Sequence, residues 1–282
     1  MISIMINTYN RSKILIENLL NLRPVWNIAE IIIVDDCSTE NTTNVINKFL
    51  KDNDILAKTI VNRKNQGYPK SMNIGIKQAS NDNILILNDD VFIINPRSFL
   101  ENMEQDLEKE FIVATRLRMN KRFSIEKEIK SFLYSVPAQI FAGELYNYNG
   151  MKKRRVNYAN NIFCFNKEKI KILFDEENYD GNYFRIESDF QLRSRKSGFR
   201  ILYDPELVVL DKWAPSGGLR QKNKKEFLCW CIFNHIIFLR KNFNFSKYYK
   251  IPFYFMIKMI FHPYLIVEII KTFDKSFKKV IT

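Results

Sequence analysis

Four short strand-like runs constrain this chain more than any other feature. Ile2–Ile6, Glu30–Val34 and Ile84–Leu87 are rich in Ile, Leu and Val, Ala57–Val61 reads as a further strand, and all four are too short for helices and long enough for strands. Between them lie the helical patterns Lys13–Leu22, Thr42–Asp52 and Gly67–Ala79, with Ser12 placed to cap the first. Strand and helix in alternation predict βαβ units. Strands apolar on both faces predict a sheet covered on both sides. The expected class is α/β, with a mainly parallel central sheet flanked by helices.

The fourth run ends in Asn88, Asp89 and Asp90, followed by Val91–Ile94. Open α/β sheets place their ligands at the carboxyl ends of their strands. Two adjacent carboxylates in a partly dry site repel each other, and a divalent cation relieves that repulsion. Carboxylate oxygens suit Mg or Mn, and those ions suit phosphates. An ordinary acidic turn is the alternative, since Asn and Asp are common turn formers.

Beyond the alternating region the pattern is less regular. Phe163–Phe165 reads as a strand, Asn166–Leu173 and Glu187–Ser197 as helices, and Phe199–Tyr203 and Leu207–Leu210 as two short strands. Gly198 is positioned to close the second of these helices. Residues 116–155 read as mobile, partly basic segments near an active site or, equally, as a solvated face. Ser216–Arg220, with its two glycines, reads as a flexible loop or a linker.

The chain carries a net charge of +13, and +9 of it falls from residue 221 onward, where twelve bases face three acids. The same tail is apolar and aromatic over Glu226–Lys241 and again over residues 251–270. Lys258, His262, Pro263 and Glu268 interrupt the second stretch, and charges at mid-span are costly in a bilayer. A pair of interfacial helices, with lysines at headgroup level and aromatics below, satisfies both features. Packing on the α/β domain, a dimer contact and a true span are the alternatives. The domain reading is therefore 1–220 for the α/β domain and 221–282 for a basic, aromatic-rich helical tail.

Cys37, Cys164, Cys229 and Cys231 form no CxxC pair, and His235 and His262 are the only histidines. A His-ligated zinc site is not expected. Reduced thiols and a short first strand at the N-terminus point to a cytoplasmic protein, peripheral at the inner face of the membrane.

Four motifs fall in order: Thr8-Tyr9-Asn10 after the first strand, Val34-Asp35-Asp36-Cys37-Ser38 after the second, Asn65-Gln66-Gly67 before the acidic strand end, and Glu187-Ser188-Asp189-Phe190-Gln191-Leu192-Arg193 about a hundred residues later. This ordered set resembles the family 2 glycosyltransferases, which have the A-type nucleotide-sugar fold, over residues 1 to about 215. The resemblance implies a nucleotide site made by Thr8, Tyr9, Asn10, Asp36, Arg63, Asn65, Gly67 and Asp89. Tyr9 would pack on the base, Asp36 would accept from base or ribose, and Arg63 or Lys64 would face phosphate. Asp89 would bond the ribose, and Asp90 would bind a Mn or Mg ion bridging the diphosphate. Glu187 would be the general base, with Asp189 the second candidate for that role or else an orienting group for Arg193.

Two departures from the family pattern bear on function. Where the family usually has a metal-completing His, this chain has Asp211, which either ligates a hard cation or is a surface acid. Processive members usually carry Gln, two residues, then Arg-Trp, whereas here Gln191 is followed by Arg193 and Arg195 and no Trp. The expected activity is non-processive, inverting transfer of one sugar from a nucleotide diphosphate sugar, UDP-linked for preference, to a hydroxyl acceptor that is lipid-linked or part of an envelope glycan. A sugar nucleotidyltransferase would need a glycine-rich phosphate loop after the first strand, and Asn7–Ser12 has no glycine. A degenerate scaffold that binds nucleotide or membrane is the non-enzymatic alternative. No nucleic-acid partner is expected.

Overall fold

The structure is a computed structural model and describes residues 1–119, 152–212 and 223–279. Most of the basic stretch 116–155 and all of Ser216–Arg220 lie outside the described residues. The described residues fall into two compact units, one of 1–119, 152–174 and 190–212, the other of 175–189 and 223–279.

The first unit is built on a sheet. Strands β1 (Ile2–Thr8), β2 (Glu30–Asp35), β3 (Ala57–Val61) and β4 (Asn83–Asn88) alternate with helices α1 (Ser12–Asn21), α2 (Thr42–Asp52) and α3 (Tyr68–Gln78). The order β3-β2-β1-β4 is parallel throughout, as βαβ connections require. After β4 the sheet becomes mixed. β5 (Val91–Ile93) follows the acidic turn, and α4 (Pro96–Leu107) leads to β6 (Ile112–Met119). β8 (Phe163–Asn166) runs antiparallel between β4 and β6, and β9 (Ile201–Asp211) runs parallel to β6. β5 and β7 (Arg154–Val156) both pair antiparallel with β9. The parallel half is thus the half that alternation predicts, and the antiparallel pairings belong to the irregular second half.

Side chains from β1 point alternately to two cores. Ile2, Ile4 and Ile6 join Ile31, Ile33, Leu85 and Leu87 in one cluster with Leu15 and Leu19 of α1 and Ile46 and Leu50 of α2. Met5 points to the other face, where a Cβ on Gly75 of α3 would come within 2.1 Å of its sulfur. That close approach is why a glycine stands in mid-helix despite its low helix propensity.

Two elements differ from the sequence reading. Residues 166–173 form one turn rather than a helix: the Ile170 N–H donates to the Asn166 carbonyl, and then the backbone of Phe174 is taken by the Asn73 side chain. The two short strands expected around Pro205 are one strand, β9. Its register against β6 shifts between Ala114 and Arg116, and the shift absorbs a proline that cannot donate to the ladder. Helix α5 (Ile186–Lys196) forms where Glu187–Ser197 predicts it, closed by Gly198.

The second unit holds α6 (Lys224–Asn242), α7 (Lys247–Phe261) and α8 (Ile266–Lys278). Residues Ile232 to Leu239 of α6 are buried without interruption, as expected of a helix that is apolar all round. Among the described residues no single helix is long and apolar enough to cross a membrane, and α7 meets the segment Pro263–Lys278 at 109°.

Asp175 ties this unit together. Its carboxylate pairs with Lys241 and accepts from the backbone N–H groups of Glu177 at 2.9 Å and Asn178 at 3.0 Å. Burial raises its pKa, but the Lys241 bond and the backbone donors outweigh that and hold it down at about 2. A depressed carboxylate stabilises the fold above the ordinary Asp range, and that contribution is lost as pH falls from about 4 to about 2. Asp175→Asn should therefore cost about 2 kcal/mol at neutral pH. Urea unfolding at pH 7 and at pH 2.5 should show the difference at the first and little at the second.

Candidate active site

The acidic turn after β4 is clamped from two sides. Asn18, buried on α1, donates its side-chain amide to the carbonyl oxygens of Asn88 (3.0 Å), Asp89 (3.2 Å) and Val91 (3.0 Å). Asn21, one turn along the helix, exchanges two bonds with the backbone of Ile93, donating at 3.0 Å and accepting at 2.8 Å. Neither asparagine was expected to act here. The signal was present in Asn18, a polar residue on the apolar stripe Leu15, Leu19, Leu22. A buried amide on such a stripe must find partners, and backbone turned out at a strand end supplies them.

The carboxylates themselves are almost closed off from solvent, Asp89 at 3% and Asp90 at 4% exposure. Arg11, at the start of α1, reaches Asp89 at 2.9 Å and Asp90 at 3.5 Å. Thr8, at the end of β1, donates its hydroxyl to the second oxygen of Asp89 at 3.0 Å. Burial pushes the Asp89 carboxyl up to about 6, with Arg11 opposing and the neighbouring Asp90 adding to the rise. The like-charge repulsion inferred from the sequence is thus met by a guanidinium on the neighbouring strand-to-helix turn.

The end of β2 forms the adjacent wall. Asp35 faces its own loop, accepting from the Ser38 N–H at 2.9 Å and from the Ser38 and Thr43 hydroxyls. Asp36 instead holds the turn before α3. It accepts from Asn62 at 2.9 Å and from the N–H groups of Gln66 at 2.8 Å and Gly67 at 2.9 Å. Asn10, at φ 54, ties the same wall to the turn after β1, accepting from the Thr39 N–H at 2.8 Å and donating to the Thr39 hydroxyl at 2.9 Å. Tyr9 is half-buried at this rim, and Arg63 and Asn65 are exposed on the turn before α3. Asn65 accepts from the Gly67 N–H at 3.2 Å.

Gly67 sits at φ 82, ψ 160, a backbone region open essentially to glycine alone. Gly67→Ala should cost roughly 1–3 kcal/mol of stability, because the turn that presents Gln66 and Gly67 to Asp36 would rearrange. Thermal melting of the variant checks the effect.

Asp211 lies at the end of β9, opposite Val91 in the ladder, so the register sets it one residue from Asp90. The backbone closes the same corner, with the Lys212 N–H donating to the Asp90 carbonyl at 2.9 Å. Among the described residues no group of three or more His, Cys, Asp or Glu side chains gathers to hold a metal. Asp89 and Asp90 after β4, with Asp211 at the end of β9, nonetheless supply the carboxylate oxygens that Mg and Mn use when substrate phosphates complete the shell.

The motif acids of α5 belong to the second unit. Glu187 is half-buried in the first turn of the helix. Asp189 is fully buried, accepting from Asn242 at 2.6 Å and lying 3.5 Å from Lys241. The approach to this helix is strained: Tyr183 and Arg185 have φ of 50 and 77. Buried Arg185 is held by a bond from its Nε to Nδ1 of His235 at 3.1 Å and by the face of Phe184. Strain of this kind persists only where surrounding contacts over-determine it, and it concentrates at functional sites.

A model of glycosyl transferase family 2 matches residues 3–167, more than half of the chain. The chain belongs to glycosyl transferase family 2. This family 2 glycosyltransferase is also 26% identical over 266 residues to the poly-beta-1,6-N-acetyl-D-glucosamine synthase of Staphylococcus aureus. That match takes in 90% of the chain, and the chain spans only 60% of the synthase's length.

Two solved structures share its fold. A Pyrobaculum calidifontis mannosyltransferase in complex with GDP-Man and Mn2+ aligns over 100% of this chain and 76% of its own, with TM-score 0.63 and 13% identity. Residues 1–349 of Staphylococcus aureus TarS, in complex with UDP-GlcNAc, align over 92% and 73%, with TM-score 0.61 and 15% identity. Both have the mixed α/β architecture of A-type nucleotide-sugar transferases, which the sequence motifs implied.

Proposed function

We propose that this glycosyltransferase moves a single sugar from a UDP-sugar, N-acetylglucosamine being the first to test, to a hydroxyl on a lipid-linked or envelope glycan, with inversion at the anomeric carbon. The observation that carries the proposal is the pair Asp89–Asp90, buried at the carboxyl end of β4 and balanced by Arg11. Such a pair is costly to maintain, and its use is to meet a nucleotide diphosphate at the strand ends. N-acetylglucosamine comes from the relative, whose name includes that sugar, and UDP-GlcNAc is also the ligand of TarS.

The chain's own residues take the following roles. Tyr9 packs on the nucleobase, and the turn Asn65–Gly67, braced by Asp36, borders the nucleotide. Thr8 fixes Asp89 for the ribose hydroxyls. Arg63 faces the diphosphate. Asp90, with Asp211 beside it, would hold a divalent cation, Mn or Mg. When bound, that ion neutralises the charge that builds on the departing nucleotide diphosphate. Glu187 takes the proton of the acceptor hydroxyl, which attacks the anomeric carbon from the face opposite the leaving group. Asp189, buried against Asn242 and Lys241, orients the helix that carries Glu187.

Transfer stops after one sugar, since the Gln-x-x-Arg-Trp pattern of processive members is not present after Asp189. Exposed aromatic and aliphatic side chains on α7 and α8 support contact with a membrane surface, at the cytoplasmic face, where a lipid-linked acceptor would be met.

The test is release of free nucleotide from a panel of UDP- and GDP-sugars, with Mn2+ or Mg2+, in the presence and absence of a lipid extract. Turnover of one UDP-sugar supports the reading and names the donor. Nucleotide binding without turnover of any donor, with or without lipid, would favour a degenerate scaffold instead.

A further inference from the structure

Between the end of α6, the start of α7 and the end of α8 lies a cavity of about 630 Å³ that no part of the transfer chemistry uses. Its walls are apolar: Ile251, Phe255, Phe273 and Phe277. Its polar side chains are one sign only. Arg240, Lys241 and Lys247 line it, and among the described residues no acid does. A cavity of this size is in the range of small-ligand sites, and its chemistry is that of an amphiphile with an anionic head.

The three bases are not equivalent. Lys241 is engaged with Asp175 and Asp189. Arg240 donates to the carbonyl oxygens of Ser276 and Lys279 at the end of α8, and burial lowers its basicity. A guanidinium so held is fixed in place beside carbonyl oxygens that carry no full charge, and an anion would compensate it. Lys247, half-buried at the start of α7, lies 5.6 Å over the Tyr248 ring. It is the base best placed to turn toward a ligand head.

The cavity is continuous with an exposed apolar ridge. Tyr248, Pro252, Met256 and Ile260 recur at every fourth position of α7, which sets them on one face, and all four are exposed. Tyr248 and Pro252 also line the cavity. An apolar stripe bordered by bases is the pattern of a helix lying in a bilayer interface. A ligand drawn from that interface would enter without crossing water.

We infer that this cavity binds a lipid phosphate, its chain among Ile251, Phe255, Phe273 and Phe277 and its phosphate at Lys247 and Arg240. Such binding is independent of sugar transfer, so its failure and the failure of the donor assay are read separately.

Calorimetric titration of the full chain with farnesyl phosphate, below its aggregation threshold, tests the site. Farnesol and inorganic phosphate serve as the tail and the head alone. One-to-one binding of farnesyl phosphate is expected, at least about tenfold tighter than either control. Lys247→Glu and Pro252→Glu, both at accessible positions, should each weaken it by about tenfold while thermal melting stays at the parent value. Farnesol binding equal to farnesyl phosphate would reduce the cavity to an apolar sink and overturn the inference. So would absence of farnesyl phosphate binding by the folded chain, binding of inorganic phosphate of equal strength, or a lipid-free dimer in light scattering that blocks the site.

Discussion

Asp90→Asn is expected to slow donor turnover by about a thousandfold, which is about 4 kcal/mol of transition-state stabilisation, with the fold intact. The substitution keeps the shape of the side chain and removes its charge. Asp89 and Asp90 are both buried and share one guanidinium, so losing one carboxylate relieves repulsion and leaves Arg11 paired with Asp89 at 2.9 Å. The backbone bond from Lys212 to the Asp90 carbonyl is untouched. Stability should be preserved while the charge proposed to hold the divalent cation is gone. Steady-state turnover of the preferred UDP-sugar beside thermal melting separates the two. Turnover within a few-fold of the parent would remove Asp90 from the chemistry.

Glu187→Gln is expected to lower turnover by roughly 10²–10⁴-fold with nucleotide affinity unchanged. Gln fills the same volume and accepts hydrogen bonds but cannot take a proton. Asp189 is the competing candidate for the base, and its surroundings supply the contrast. It is fully buried, with Asn242 and Lys241 on its oxygens. Asp189→Asn should therefore destabilise the fold, by about 1–3 kcal/mol, through loss of a charge-assisted buried bond. A loss of turnover that follows the loss of folded protein marks a positioning role. The pair of variants, compared by turnover, nucleotide Kd and melting temperature, assigns the base. If Asp189→Asn is stable and inactive while Glu187→Gln is active, the roles are exchanged.

How much of this was legible in the residues depends on whether the interactions are local. β1 to β4 and the helices between them were readable because their apolar runs and turn signals are consecutive. The bounds of α2 and β3 are those the pattern predicts, Thr42–Asp52 and Ala57–Val61. Ser12 reads as a cap, yet the helix begins at Ser12 itself with Arg11 before it, because Arg11 turns to the carboxylates rather than leaving the turn to local capping.

Beyond residue 90 the sheet is assembled from distant pieces. The antiparallel place of β8 between β4 and β6 follows from no local signal, since a short run such as Phe163–Phe165 carries no record of its partners. The single strand β9 was hidden by Pro205, a residue that argues for a break until the bulge that holds it within β9 is known.

Within the site, the acids were visible as a motif, whereas their restraints were not. Arg11, Asn18 and Asn62 act across gaps of 78, 70 and 26 residues respectively. Only the misplaced polarity of Asn18 on an apolar stripe hinted at any of them. Asp36 shows the same limit. Its motif implies contact with the nucleotide, and the structure adds that three bonds already tie it to the turn before α3.

The most direct measurement is calorimetric titration of UDP into the parent chain and into Asp90→Asn, each with and without Mn2+. Mn2+ should tighten UDP binding to the parent by at least about tenfold, while Asp90→Asn should bind UDP about as the parent does without the ion and gain nothing from it. Equal UDP affinity in the parent with and without Mn2+, or the same gain in Asp90→Asn, would contradict the assignment of the β4 carboxylates to the diphosphate.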